Sequence, residues 1–191
     1  MGSLPPPDLA ALVGSLARAL DAAGFPFMLI GGQAVLVHGR PRLTEDVDVT
    51  LGADPGRLPD LLRVCDAVAL RPLPFDVDTF VGQTFVLPAR HAGSGLRVDF
   101  IFSTTPYERQ AIGRADRLAI GEVRVPVATA EDLILHKLFA GRPRDLEDAE
   151  SVVRRRGGAL DWGYIERWAD EFRAVPGREG MGAQVERLRK P

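Results

Sequence analysis

A single cysteine, Cys65, leaves this 191-residue chain with no internal disulfide and no thiolate cluster for zinc. It sits in the apolar pattern Leu61, Leu62, Val64, Cys65, Val68, where a thiol serves as a small buried side chain. The three histidines, His38, His91 and His136, are too scattered to form a metal-ligand spacing. Long hydrophobic runs are absent as well. The longest, 27–30 and 34–37, fall far short of the roughly 20 residues that a membrane span needs. No charged start followed by an apolar stretch signals export, so a cytoplasmic protein with no membrane partner is expected. Nor is there a large excess of charge. A formal net charge of -2 argues against indiscriminate binding of nucleic acid. The charge is uneven, acidic groups prevailing before residue 137 and basic groups after it. Arg154, Arg155 and Arg156 form the densest basic cluster, which either meets a polyanion or is a solvated helix end beside its negative dipole terminus.

What remains is a chain long enough to bury one core, with a change of pattern two thirds of the way along. Residues 1–7 form a proline-bearing lead-in without periodicity, expected to be flexible. Asp8 is placed to cap a helix with Leu9, Leu12, Val13, Leu16, Ala17 and Leu20 on one face, ending at Gly24. Phe25 to Ile30 reads as a strand that runs into Gly31 and Gly32 and then a short helix from Gln33 to His38. Residues 45–51 alternate acidic with apolar or β-branched side chains, giving a strand with one acidic face. Residues 59–70 read as a helix, 84–87 and 96–102 as strands, and 118–127 as a hairpin. The stretch around Asp76 and Asp78, between Pro72, Pro74 and no apolar strand, reads as a loop. From Thr129, whose spacing to Asp132 suggests a capping box, the pattern is helical. The expected fold is α+β, a mixed sheet flanked by helices. A core over 8–128 carries a C-terminal helical part over 129–175, and a loose tail follows from 176.

Asp46 and Asp48 stand two residues apart, so on a strand both carboxylates leave the same face about 6–7 Å apart at the backbone. Acids are unfavourable in strands, and two neighbours on one face repel each other unless a cation lies between them. Asp99, on a second alternating strand with Arg97, is the natural third member. Three carboxylates suit a hard divalent ion, Mg2+ or Mn2+. Asp99, farther along the chain, either contacts only a second metal or accepts the proton of an attacking hydroxyl, because a carboxylate serves as ligand or base. Gly31 and Gly32, at a strand-to-helix junction, permit close backbone approach and expose amides suited to phosphate oxygens. Arg40 and Arg42 either clamp a triphosphate or balance Glu45 and the acidic strand. Trp162, Tyr164 and Trp168 either stack a base or pack the core, their spacing with Ile165, Ala169 and Phe172 being that of a buried helix face. On its own residues, Lys137 reads equally as a surface lysine and Asp145 as a helix cap.

The glycine pair, a short spacer, Asp-x-Asp and a later third acid together resemble the nucleotidyltransferase superfamily that includes DNA polymerase beta. Within it, Gly31-Gly32-Gln33-Ala34-Val35-Leu36 through Arg40, Arg42, Thr44, Asp46 and Asp48 looks most like the minimal transferases of the AbiEii toxin group. A later signature agrees, since Leu135-His136-Lys137-Leu138 precedes Arg142-Pro143-Arg144-Asp145-Leu146-Glu147-Asp148. The resemblance covers residues 25–156. It implies that Lys137 reaches nucleotide phosphates, while Asp145, alone or with Asp148, positions Lys137 or the nucleotide. The glycine pair lacks the serine that many polymerase-like members carry second, which removes one hydroxyl contact to phosphate.

The expected activity is metal-dependent transfer of a nucleoside monophosphate from a nucleoside triphosphate to a hydroxyl. The resemblance implies an RNA acceptor, particularly the end of a transfer RNA, and a cognate antitoxin. An aminoglycoside nucleotidyltransferase shares the Gly-Gly to Asp-x-Asp stretch and is the second enzyme reading. A nucleotide-binding module without catalysis is the third.

Overall fold

The computed structural model describes residues 7–42, 44 and 46–190, with the side chains of Pro7 and Asp8 left aside. The lead-in up to residue 6, the capping role of Asp8 and the balancing role of Glu45 fall outside what is described.

The chain runs α1 (Pro7–Ala22), β1 (Phe27–Ile30), α2 (Gly31–His38), β2 (Asp46–Leu51), α3 (Leu58–Ala67), β3 (Leu70–Pro72) and α4 (Val77–Thr84). It continues with β4 (Val86–His91), β5 (Arg97–Phe102), α5 (Pro106–Arg114), β6 (Asp116–Ile120), β7 (Val123–Val127), α6 (Ala130–Ala140), α7 (Pro143–Arg156), α8 (Trp162–Phe172) and α9 (Met181–Arg189). The fold is mixed α/β. Among the described residues seven strands form one sheet in the order β3-β4-β5-β2-β1-β7-β6, in which β2 pairs with β5 and β1 with β7 in parallel and the other neighbours are antiparallel.

Alternation decides which way each central strand faces. Val47 and Val49 on β2, Val98 and Phe100 on β5, and Leu87 and Ala89 on β4 are fully buried on one side. Together with Leu12, Leu16 and Leu20 of α1 and Leu61 of α3 they belong to the hydrophobic core. The opposite side carries the intervening residues, the three aspartates among them, because successive side chains of a strand point to opposite faces.

Several elements depart from their sequence reading. The acidic stretch read as a loop is α4, since the Asp76 side chain accepts from the amide of Thr79 and caps it. Residues 84 and 85 close that helix instead of opening a strand, with Phe85 in the left-handed region at φ 58°. The stretch read as a loose tail contains α9, anchored by the buried Met181 and Val185. Asp145 does not cap α7, whose cap position is Arg142, and lies instead within its first turn. The reading of Thr129 matches the geometry: its hydroxyl accepts from the Asp132 amide at the start of α6. Trp168 packs edge-on against Tyr107, ring centres 5.1 Å apart, as a core residue does. Cys65 is buried, which pushes its thiol up to about 12.

Candidate active site

The parallel pairing of β2 and β5 puts Asp48 directly beside Asp99 and Asp46 beside Arg97. Cross-strand partners share a face, so all three aspartates lie on one side of the sheet, Asp48 and Asp99 at adjacent-strand spacing, about 4.8 Å, and Asp46 two residues from Asp48 along β2, about 6–7 Å away at the backbone. Asp48 is half-buried and Asp46 exposed. Burial first, and then the charges of Asp99 and Asp46, push the carboxyl of Asp48 above the ordinary carboxylate range, while Lys137 and Arg142 pull it back. A cluster compensated only in part is what a bound cation relieves.

The glycine pair is shaped by that cluster. Gly31 takes φ 61°, and a β-carbon there would fall inside the Asp48 carboxylate, 2.7 Å from its carbon. At Gly32 an added β-carbon would lie 2.8 Å from Cβ of Thr44. The Thr44 hydroxyl and the Gln33 side-chain amide both donate to the Asp46 carbonyl, each at 3.3 Å, holding the entry to β2 against the start of α2. Only side-chain-free positions let the strand-to-helix junction close over the carboxylates.

The second half of the site is a buried ion network on α6 and α7. Lys137 Nζ donates to Asp145 Oδ1 at 2.8 Å and approaches Asp148 Oδ2 at 2.9 Å. Arg42 grips Asp148 with Nε and Nη2 at 3.1 and 3.0 Å, and Arg142 grips Asp145 at 2.6 Å. Burial raises both aspartates, but hydrogen bonds from Arg142 and Lys137 on Asp145, and from Arg42 and Lys137 on Asp148, hold each below the ordinary carboxylate range. The network carries three cations and two anions, so net positive charge faces the acidic strands.

Of the residues singled out from the sequence, Gly31, Gly32, Asp46, Asp48 and Asp99 come together, and the charge of Lys137 reaches them. Arg42 joins them through Asp148. Arg40 does not: its backbone amide donates to Ser151 at 3.1 Å and the residue is otherwise exposed. Asp99 is held by Arg97 Nε at 2.8 Å. Among the described residues no group of three or more acidic, histidine or cysteine side chains is arranged as a finished metal cage. The donor chemistry nevertheless fits a hard cation, since Asp48 is the carboxylate that burial and like charge leave most in need of one. Asp46 and Asp48 suit that role directly, and Asp99 only once it turns from Arg97. Arg142 and Thr44 were missed as site residues. The Arg-Pro-Arg-Asp turn is the signal for Arg142, and Thr44 stood among the residues of the family resemblance without a role of its own.

The model for the family described as nucleotidyl transferase AbiEii toxin, type IV toxin-antitoxin system, matches residues 12–184. The chain belongs to that family. It is a nucleotidyltransferase, and the family description makes an antitoxin its natural counterpart. Its fold is shared by known structures of low sequence identity. The antibiotic-resistance factor ANT(2'')-Ia is 13% identical, with 90% of this chain and 97% of that chain covered and a TM-score of 0.60. An antigenic nucleotidyltransferase-like protein from Paracoccidioides brasiliensis is 18% identical over 96% and 94% of the two chains, with a TM-score of 0.55. JHP933 from Helicobacter pylori is 17% identical over 98% and 94%, with a TM-score of 0.50. None of the curated proteins compared with it matches the sequence. No helix among the described residues is long and apolar enough to cross a membrane.

Proposed function

We propose that this transferase moves a nucleoside monophosphate from a nucleoside triphosphate to the terminal hydroxyl of an RNA in the cytoplasm, and that a cognate antitoxin opposes it. The observation that carries the reading is the register of Asp48 with Asp99 beside a glycine pair that leaves no room for a side chain. Asp46 and Asp48 would hold Mg2+ or Mn2+, with Asp99 joining them. Such an ion supplies Lewis-acid polarisation of the phosphate being transferred and neutralises its charge. The amides of Gly31 and Gly32 and the ammonium of Lys137 hold phosphate oxygens, Lys137 leaving Asp145 or Asp148 in part as it does so. Asp145 holds that lysine directly and Arg42 holds it through Asp148, so the two keep it aimed. Asp99 accepts the proton of the acceptor hydroxyl. The new bond forms between that oxygen and the α-phosphorus, the bond from the α-phosphorus to the bridging oxygen breaks, and pyrophosphate leaves.

Incubation with each labelled triphosphate, Mg2+ or Mn2+ and, separately, total RNA, a transfer RNA and an aminoglycoside tests the reading. Label appearing on RNA with pyrophosphate release is expected. Label on the aminoglycoside alone would replace RNA with a small-molecule acceptor, and triphosphate binding without pyrophosphate would leave a non-catalytic module.

A further inference from the structure

The carboxylate face has two unlike halves. Towards β1 it is closed by α2, α6 and α7 with their cations, the side on which a triphosphate is held. Towards the sheet edge, over β5, β4 and β3, Arg71 and Arg90 are exposed, Arg97 is partly so, and α4 borders a groove. Strand pairing aligns Arg71 with Arg90, Arg90 with Arg97, and Arg97 with Asp46, one row across four adjacent strands and about 14 Å long. Three guanidinium groups in register on neighbouring strands repel one another and destabilise a sheet. Their partners only partly offset this: Arg97 meets Asp99 at 2.8 Å, Arg90 a backbone carbonyl, that of Gly95, at 2.8 Å, and Arg71 the exposed Asp66 at 3.3 Å.

Beside this row runs an aromatic ledge. Phe75 is 107% exposed and Phe80 38% exposed, on the turn before α4 and on α4 itself. With Leu73, Pro88 and Arg97 they line a groove of about 480 Å³. The groove is continuous with the catalytic carboxylates, because Pro88 is in register with Asp99 and Arg97 touches both. Solvated phenylalanines beside a row of arginines offer two complementary things, flat apolar faces for unpaired bases and cations for a phosphate chain.

We infer that the half of this face towards the sheet edge, from Asp99 across Arg97, Arg90 and Arg71 to Phe75 and Phe80, is the acceptor groove and takes the single-stranded end of an RNA, its terminal hydroxyl at Asp99. This rests on the transfer reading above and adds the side of entry and the residues that hold the penultimate nucleotides. The charge of the row also bears on the acceptor, since an aminoglycoside polycation would be repelled by the arginines that attract RNA.

The test uses the full chain and a fluorescein-labelled, twelve-nucleotide single-stranded RNA with a free 3'-hydroxyl, its binding followed by anisotropy without triphosphate. Phe75→Ala with Phe80→Ala should weaken binding roughly thirtyfold or more, two stacked bases at about fivefold or more each. Arg71→Ala with Arg90→Ala should weaken it and lower the slope of log affinity against log salt by about 1.4, two phosphates at 0.7 each. All four residues are exposed, so calorimetric triphosphate binding should match wild type, and thermal unfolding should be unchanged in the phenylalanine variant and unchanged or higher in the arginine variant, which relieves the repulsion along the row. RNA affinity unchanged in both double variants overturns the inference, as does a wild-type chain that binds no RNA. A wild-type dimer that the phenylalanine variant dissociates also overturns it, because a second copy then covers the ledge. Transfer assays on the same proteins decide the underlying reading separately: label on RNA with wild-type KM in every variant sinks the groove and leaves the chemistry standing. Weakened RNA binding with no transfer by wild type does the reverse.

Discussion

The carboxylate of Asp48 fills the space that a β-carbon on residue 31 would need, so the acid at the middle of the sheet and the first glycine of α2 cannot change independently. Residue 31 also sits at φ 61°, a backbone region costly for any residue with a side chain. Gly31→Ala therefore combines strain with a clash against the acid most central to the site. We expect it to lose about 1–3 kcal/mol of unfolding free energy in urea titrations and to abolish pyrophosphate release. A variant with wild-type stability and turnover would show that the junction is looser than described.

Asp48→Asn is expected to separate function from folding. The substitution removes a charge that burial, Asp99 and Asp46 all disfavour, so the thermal midpoint in metal-free buffer should hold or rise. Transfer should vanish. Asp99→Asn should cost roughly a hundred- to ten-thousandfold in turnover if Asp99 accepts the acceptor proton.

Lys137 is both a phosphate-binding candidate and the centre of a buried network, and the two roles predict different rescues. Lys137→Ala leaves Asp145 and Asp148 to Arg142 and Arg42 alone and should cost about 3 kcal/mol in chemical denaturation. Adding Asp145→Asn should recover part of that stability and none of the transfer. Recovery of activity in the double variant would assign Lys137 a purely structural role.

Much of this site was readable in advance because local spacing carried it. Two acids at a two-residue interval with valines between them dictate one acidic and one buried face, whatever the tertiary context. Strand order was not readable, since nothing local says that β5 rather than β4 lies against β2, and the pairing of Asp48 with Asp99 depends on it. The Arg42 clamp on Asp148 joins positions far apart in the chain, and sequence alone left Arg42 between two roles. Around Pro72 and Pro74 the prolines obscured α4, where a single aspartate cap outweighed an unpromising composition.

Acid should destabilise the protein in a defined window. His38 lies between the Ala128 carbonyl, 2.8 Å from Nε2, and Arg156, 2.8 Å from Nδ1, an arrangement that fits a neutral ring donating to the first and accepting from the second. Burial, and then the Arg156 charge acting against the hydrogen bond to Ala128, lowers its pKa from 6.5. The unfolded chain thus takes up a proton that the native one resists, so this stability is present above pH 6.5 and is lost as pH falls through the lowered value. Urea midpoints measured from pH 8 to pH 5 should fall on acidification, and His38→Gln should flatten the fall. Part of the slope should remain, because burial lowers His136 as well.

Phe85 offers a gain. An exposed phenylalanine at φ 58° closes α4 where glycine is the unstrained choice. Phe85→Gly should add about 0.5–1 kcal/mol, read as a higher urea midpoint at unchanged slope. A loss would show that the ring makes contacts worth more than the strain.

The strand order has one more consequence. β2 is the fourth of seven, with three neighbours on either side, so the chain segment bearing Asp46 and Asp48 is the last that thermal fraying from a margin can reach. Amide hydrogens of β2 should exchange only on global opening, while those of β3 and β6 exchange through local excursions. The rigid part of the protein is then the part that carries the paired carboxylates, and the compliant borders are left to accommodate whatever arrives.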